Sequence, residues 1–405
     1  MSSPSTVSLI RHRPFQLYVG GRAFAAFASQ MVSVIVAWQL YELTNSAFLL
    51  GMIGLVQFIP TALLIFIAGH VADTYDRKRV VQLCQFGAAL GAAFLAWGSI
   101  GGWLTVPEMF AVVLVFGTGT AFSSPASAAL MTGVAPEGML QRVTAIASGT
   151  FEVATICGPA LGGLAYGISP GVGYISIAVL WSVGALLMGA IPLERPVTSE
   201  RPAPTPGAIF AGWTFVRRNP VILGAISLDL FTVLLGGAST LLPIYARDIL
   251  HTDAWGMGVL RAAPSVGALL MTVVLSHYTI KSKTGMRLFQ AIIIYGLATL
   301  VFAVSHLMWL SFLALAIAGA ADTVSMVIRI ALVQLATPDD MRGRVGAVNF
   351  LFVNASYQLG GFESGVTAAL FGAVPSVLIG GVGTILVALL WMKLFPPLRA
   401  LDKLE

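Results

Sequence analysis

Twelve apolar runs, each long enough to cross a bilayer as a helix and set apart by short polar gaps, account for most of this chain. A crossing helix takes roughly 20 mostly apolar residues. Such runs fall near 15–42, 48–71, 80–101, 106–131, 140–167 and 171–192, and again near 219–246, 256–277, 286–305, 308–335, 345–370 and 373–395. Charged residues make up only 10% of the sequence and hydrophobic ones 57%. Soluble domains carry roughly 25% charged residues, so these charges cannot clothe a water-facing surface. The expectation is an all-α integral membrane protein with twelve transmembrane helices. The first run is too long for a signal h-region and no small-residue cleavage site follows it, so it reads as a span.

Between the sixth and seventh runs the texture changes. Glu194, Arg195 and Pro196 lead into Pro202, Pro204, Pro206 and Gly207, a proline density that no helix interior tolerates. Residues 208–218 then read as a short amphipathic surface helix. The expected organisation is a six-helix bundle over 1–193, a linker with its surface helix over 194–218, and a second six-helix bundle over 219–405. The halves also repeat. Pro136, Met139, Arg142, Val143, Ala145 and Gly158 recur at a constant offset as Pro338, Met341, Arg344, Val345, Ala347 and Gly360, with Glu137 answered by Asp339. Two parallel six-helix repeats form a known transporter architecture, pseudo-symmetric, with the substrate site at the repeat interface.

Basic residues set the orientation. Eighteen of the 22 Lys and Arg fall in gaps on one side, from Arg11 and Arg13 to Arg399 and Lys403. Arg247 is alone on the other side, and Arg22, Arg261 and Arg329 lie within spans. The positive-inside rule then puts both termini and the linker in the cytoplasm. Within an inner, or plasma, membrane of bacterial type, the lipid bilayer is the obligatory partner.

Several function classes find no support. The two cysteines, Cys84 and Cys157, sit in apolar runs and read as small core residues, not a disulfide or metal pair. The histidines lie at span ends with no metal-ligand spacing. There is no catalytic constellation, no phosphate-binding G-x-x-x-x-G-K-[ST] loop, and no basic patch for nucleic acid. No cofactor is expected and no enzyme activity. Uphill transport would draw on an ion or substrate gradient.

Two motifs carry a family resemblance. After the second run, Gly69-His70-Val71-Ala72-Asp73-Thr74-Tyr75-Asp76-Arg77-Lys78-Arg79 resembles the loop 2–3 signature of the major facilitator superfamily, G-x-x-x-D-R-x-G-R-[RK]-[RK]. Thr74 and Asp76 depart from it, replacing Arg and Gly. The resemblance implies that Asp73, with Arg77, latches the cytoplasmic side; Gly69 completes the motif. In the fifth span, Gly149 and Gly158-Pro159-Ala160-Leu161-Gly162-Gly163 resemble the superfamily's antiporter signature G-x8-G-P-x-x-G-G. Small residues let helices approach closely, and Pro159 weakens the local ladder. Arg217-Arg218-Asn219-Pro220, Ala321-Asp322, Arg329 and 341–345 extend the resemblance to an enterobactin-exporter-like branch.

Charges inside spans are costly, at least about 2.5–3.5 kcal/mol at mid-bilayer, and so mark candidate sites. Asp229 lies in span seven, Glu152 in span five, and Asp322 with Arg329 in span ten, seven residues apart on one helix face. The resemblance implies that the first, fourth, seventh and tenth helices line a cavity, which adds Arg22. A carboxylate shielded from water holds a proton more readily, making Asp229, Asp322 and Glu152 proton-coupling candidates. A permanently ionised pair with Arg329 is the competing reading for either aspartate. Arg22, Arg261 and Glu363 lie nearer the membrane faces and read first as snorkelling side chains. Trp38, Tyr41, Trp103, Trp181, Trp255 and Trp309 read as an interfacial aromatic belt.

The expected function is proton-coupled export of a small amphipathic molecule, a siderophore or drug-like compound, by a monomer working through alternating access. An importer, a lipid flippase and a non-transporting receptor on the same scaffold are the alternatives.

Overall fold

The computed structural model describes residues 12–136, 138–192, 206–278, 282–338 and 341–402. The linker residues 193–205, and Glu137 and Asp339 of the repeated motif, lie outside them. Among the described residues every regular element is helical. The first six long helices are α1 (Arg13–Thr44), α2 (Ala47–Thr74), α3 (Arg77–Gly101), α4 (Val106–Val134), α5 (Leu140–Ile168) and α6 (Pro170–Gly189). A shorter α7 (Pro206–Arg218) precedes α8 (Pro220–Leu235), α9 (Ala254–His277), α10 (Thr284–Val304), α11 (Met308–Leu335), α12 (Arg342–Phe371) and α13 (Ala373–Leu394). Eleven segments among the described residues are long and apolar enough to span a membrane. At 30 residues α12 has the length of a twelfth, about 45 Å at the α-helical rise. The protein is a multi-pass, twelve-helix membrane protein.

Local chemistry starts and stops these helices. Asp76 caps α3 by accepting from the Lys78 N–H at 3.0 Å, and Gly102, at φ 69°, ends it in the left-handed conformation that a side chain resists. Ser169 and Asn219 cap α6 and α8, each followed by a proline at the first helical position, where its missing N–H costs nothing.

Packing divides the chain into two compact units that do not follow one cut of the sequence. The first comprises Met1–Leu43, Val56–Ala203 and Asp253–Gly258; the second comprises Thr44–Leu55, Pro204–Thr252 and Val259–Glu405. The first unit's core includes Phe15, Tyr18, Val81, Leu130 and Met188. The second has one cluster around Leu228, Phe289 and Ile328, and another where Val216 of α7 and Ile222 meet Val345 and Val348 of α12. There Trp213 stacks on Phe352, ring centroids 5.5 Å apart. Large apolar side chains stay on the outside of the spans, such as Leu90 on α3 and Leu370 on α12, both 72% exposed. That distribution suits a lipid solvent, in which burial is no longer what hides an apolar group.

Two readings need correction. Trp103, Trp255 and Trp309 are exposed, as a belt requires, but Trp38, Tyr41 and Trp181 are buried. Trp38 donates its indole N–H to Glu42 at 2.8 Å, and Trp181 packs on Phe116. Position along a span fixes depth but not which face of the helix a ring occupies. For the same reason Cys157, read as a core residue, is exposed on α5.

Candidate functional site

The charged cluster of the second unit forms where a span is broken. α8 ends at Leu235, and the chain continues through a 3-10 turn at Gly237–Leu241 and a π turn at Tyr245–Ile249. Broken helices leave backbone groups without partners and mark binding sites in transporters. Here Tyr295 of α10 donates its hydroxyl to the Gly236 carbonyl at 3.1 Å. A Cβ at Gly236 would meet that hydroxyl at 2.6 Å, so glycine is what lets the tyrosine reach the break.

Asp229 and Thr232 stand in the last two turns before the break. Arg329 of α11 forms an ion pair with Asp229, and both side chains are enclosed, 12% and 8% exposed. Its second contact, to Asp322, is longer at 3.8 Å, and the Asp322 side chain is 36% exposed. Arg329 also donates Nε–H to Ser325 at 3.2 Å. Asp229, Thr232, Tyr295, Asp322, Ser325 and Arg329 line one small cavity, and the Thr232 hydroxyl is buried there without a hydrogen-bond partner. One guanidinium is thus shared by two unequal carboxylates, and the cluster's formal charge is negative. Asp229, Asp322 and Arg329 were legible as intramembrane charges. Tyr295, Thr232 and Ser325 were not, because a lone polar residue in an apolar run carries no sign of where it points.

The first unit holds Arg22 in a different setting. Its guanidinium donates to the Tyr18 hydroxyl at 3.2 Å, and Tyr18 donates to the Ser127 carbonyl at 3.1 Å. Arg22 lines a cleft with Gln57, Gln85, Ser123 and Ser124, so it turns inward and does not snorkel. Glu152 of α5 is half-buried and outside this lining.

The loop 2–3 residues divide into groups with and without structural work. Arg77 is buried, donating to the Ala72 carbonyl at 3.1 Å and to the Ala129 carbonyl at 3.5 Å. Lys78 donates to the Ile191 carbonyl at 3.1 Å. Cations at helix C-terminal ends satisfy orphan carbonyls and favour the helix dipole. Asp73 is half-buried, and Gly69 has open space where a Cβ would stand.

The motif glycines of the fifth helix are closely contacted with one exception. A Cβ on Gly158 would meet Gln30 of α1 at 2.6 Å, and one on Gly162 the Met31 backbone at 2.9 Å. A Cβ on Gly163 would run into the Ala254 carbonyl at the start of α9, and one on Gly258 would run into the Pro159 carbonyl. Gly149 has nothing within 4 Å. The second unit repeats the device on α12. Gly360 abuts the Val233 and Leu234 backbone of α8, and Gly365 abuts Gly51 at the start of α2. Gly163 and Gly365 are separated by the same offset as the other repeated positions.

Comparison with known proteins agrees with the fold. Two curated relatives are enterobactin exporters named EntS. The one from Citrobacter koseri is 24% identical over 97% of this chain and 94% of the relative, and that from Shigella boydii is 23% identical over the same shares. Among solved structures, a bacterial homolog of the human lysosomal transporter Spinster superposes with a TM-score of 0.77 at 13% identity, covering 98% of this chain and 99% of that one. The nucleoside transporter NupG superposes at 0.71 with 16% identity, covering 95% and 99%. The Major Facilitator Superfamily profile matches residues 19–361, and the chain belongs to that superfamily as a membrane transporter of small molecules.

Proposed function

We propose that this transporter is a proton-coupled exporter of a small amphipathic molecule, a siderophore or drug-like compound, carried from the cytoplasm by alternating access. The observation that carries the reading is the unequal pairing of Arg329. Asp229 is enclosed and tightly paired, which suits a fixed counter-ion. Asp322 is looser and reachable from the cavity, which suits a carboxylate that takes up and releases a proton. A proton on Asp322 leaves the Asp229–Arg329 pair neutral in sum; loss of the proton restores a net negative cluster. That difference in charge is what a coupled cycle needs, because a ligand shifts a conformational equilibrium only through its differential interaction with the two states. Export as the direction is supported by the names of the relatives and by the antiporter-like motif on α5, whose glycines form tight crossings. Glu152 is a secondary proton candidate. Asp73 would latch the cytoplasmic face.

The test is efflux from proteoliposomes driven by an imposed pH gradient, with a catecholate siderophore and a cationic dye as cargoes. Wild type should move at least one cargo only when the gradient is present. Asp322→Asn should abolish the gradient dependence. Flux indifferent to the gradient and to both Asp322→Asn and Asp229→Asn would remove proton coupling from the proposal.

A further inference from the structure

The cleft of the first unit differs in chemistry from the acidic cluster of the second. Arg22 uses one of its five N–H donors on the Tyr18 hydroxyl, a neutral partner. Among the described residues no carboxylate pairs with it, and the cleft lining contains none. The cation is instead surrounded by neutral amides and hydroxyls, Gln57, Gln85, Ser123 and Ser124, with Phe116 and Trp181 as apolar walls. An uncompensated guanidinium inside a membrane protein is costly. One ligand type relieves that cost and uses the polar lining. It carries an oxyanion to accept from Arg22 and a hydroxyl to pair with Ser123, Ser124 or Gln57, on an aromatic body that packs against the walls.

We infer that this cleft binds a hydroxylated aromatic anion, with Arg22 as the residue that holds its oxyanion. The acidic cluster around Asp322 would repel such a group, so the two sites divide the work: anion in the first unit, proton in the second. This inference rests on the proposed transport reading only in taking the bound anion to be cargo.

The experiment is equilibrium titration of the purified full-length protein, in nanodiscs of zwitterionic lipid so that no anionic headgroup competes. The probes are 4-hydroxybenzoate and its uncharged amide, 4-hydroxybenzamide. Wild type should bind the carboxylate saturably and at least about tenfold more tightly than the amide, as charge-assisted hydrogen bonds require. Arg22→Gln should lose that preference, and Arg22→Lys should retain part of it, which separates charge from folding. Ser123→Ala together with Ser124→Ala should weaken the carboxylate several-fold while keeping the preference. Equal binding of carboxylate and amide, no saturable binding by wild type, or an undiminished preference in Arg22→Gln would each overturn the assignment. Gradient-driven efflux that persists without Arg22-dependent binding would overturn the anion site alone. Intact binding without flux would overturn the transport reading and leave the anion site standing.

Discussion

Arg329 and Asp322 share one face of α11, yet Arg329 makes its closer ion pair with Asp229 on α8. The two aspartates therefore do different work. Removing one partner of an enclosed pair strands a charge, at a cost of about 3–5 kcal/mol. Asp229→Asn should accordingly lower the thermal unfolding temperature markedly, while Asp322→Asn should shift it little. Thermal melts of the two purified variants, side by side, check the asymmetry, and equal destabilisation would contradict it.

Coupling should follow the looser carboxylate. With the pH equal on both sides, wild-type flux should vary with pH as Asp322 gains and loses its proton. Asp322→Asn, which stays neutral, should give a flat profile. The measurement is exchange across a pH series in proteoliposomes, and a pH-dependent profile in the Asn variant would point to another group, Glu152 first.

The α5 glycines offer a graded series. Gly163→Ala puts a methyl into the Ala254 carbonyl, and overpacking of this kind costs typically about 1–3 kcal/mol. Gly149→Ala meets nothing and gains helix propensity, worth up to about 1 kcal/mol. Gly163→Ala should melt lower and Gly149→Ala at or slightly above wild type, although both belong to one motif.

Loop 2–3 should separate in the same way. Arg77→Ala removes donors from the Ala72 and Ala129 carbonyls and should destabilise the first unit by about 1–3 kcal/mol. Asp73→Asn should leave the melting temperature within about a degree, because the side chain is only half-buried and the replacement keeps its size. If Asp73 is the latch, the same variant should slow efflux, and unchanged flux would leave the residue without a gating role.

A polar network that shares no residue with either charged site gives a further check on packing. Tyr174 donates to Gln39 at 2.7 Å, and Gln39 donates to Ser99 at 2.9 Å. Tyr174→Phe leaves the Gln39 oxygen buried without its donor, which should cost about 1–3 kcal/mol. The readout is a lower melting temperature with cargo binding unchanged.

Much of this protein could be read from its residues alone. Twelve apolar runs, the paucity of charge and the repeated positions around Arg142 and Arg344 dictate a twelve-helix membrane transporter, because bilayer thickness and backbone hydrogen bonding permit few other solutions. Asp229, Asp322 and Arg329 were candidates because hydrocarbon makes an idle charge expensive. The division of labour among them came only from tertiary structure. Which carboxylate closes on Arg329 depends on how α8 and α11 are rotated about their axes, and apolar periodicity sets no rotation when a helix is hydrophobic nearly all round. The same ambiguity hid the inward turn of Arg22, the burial of Trp38 and Trp181, and the open space at Gly149. In lipid, one-dimensional pattern determines depth and span, while the facing of each side chain is decided by which helices come to lie against it.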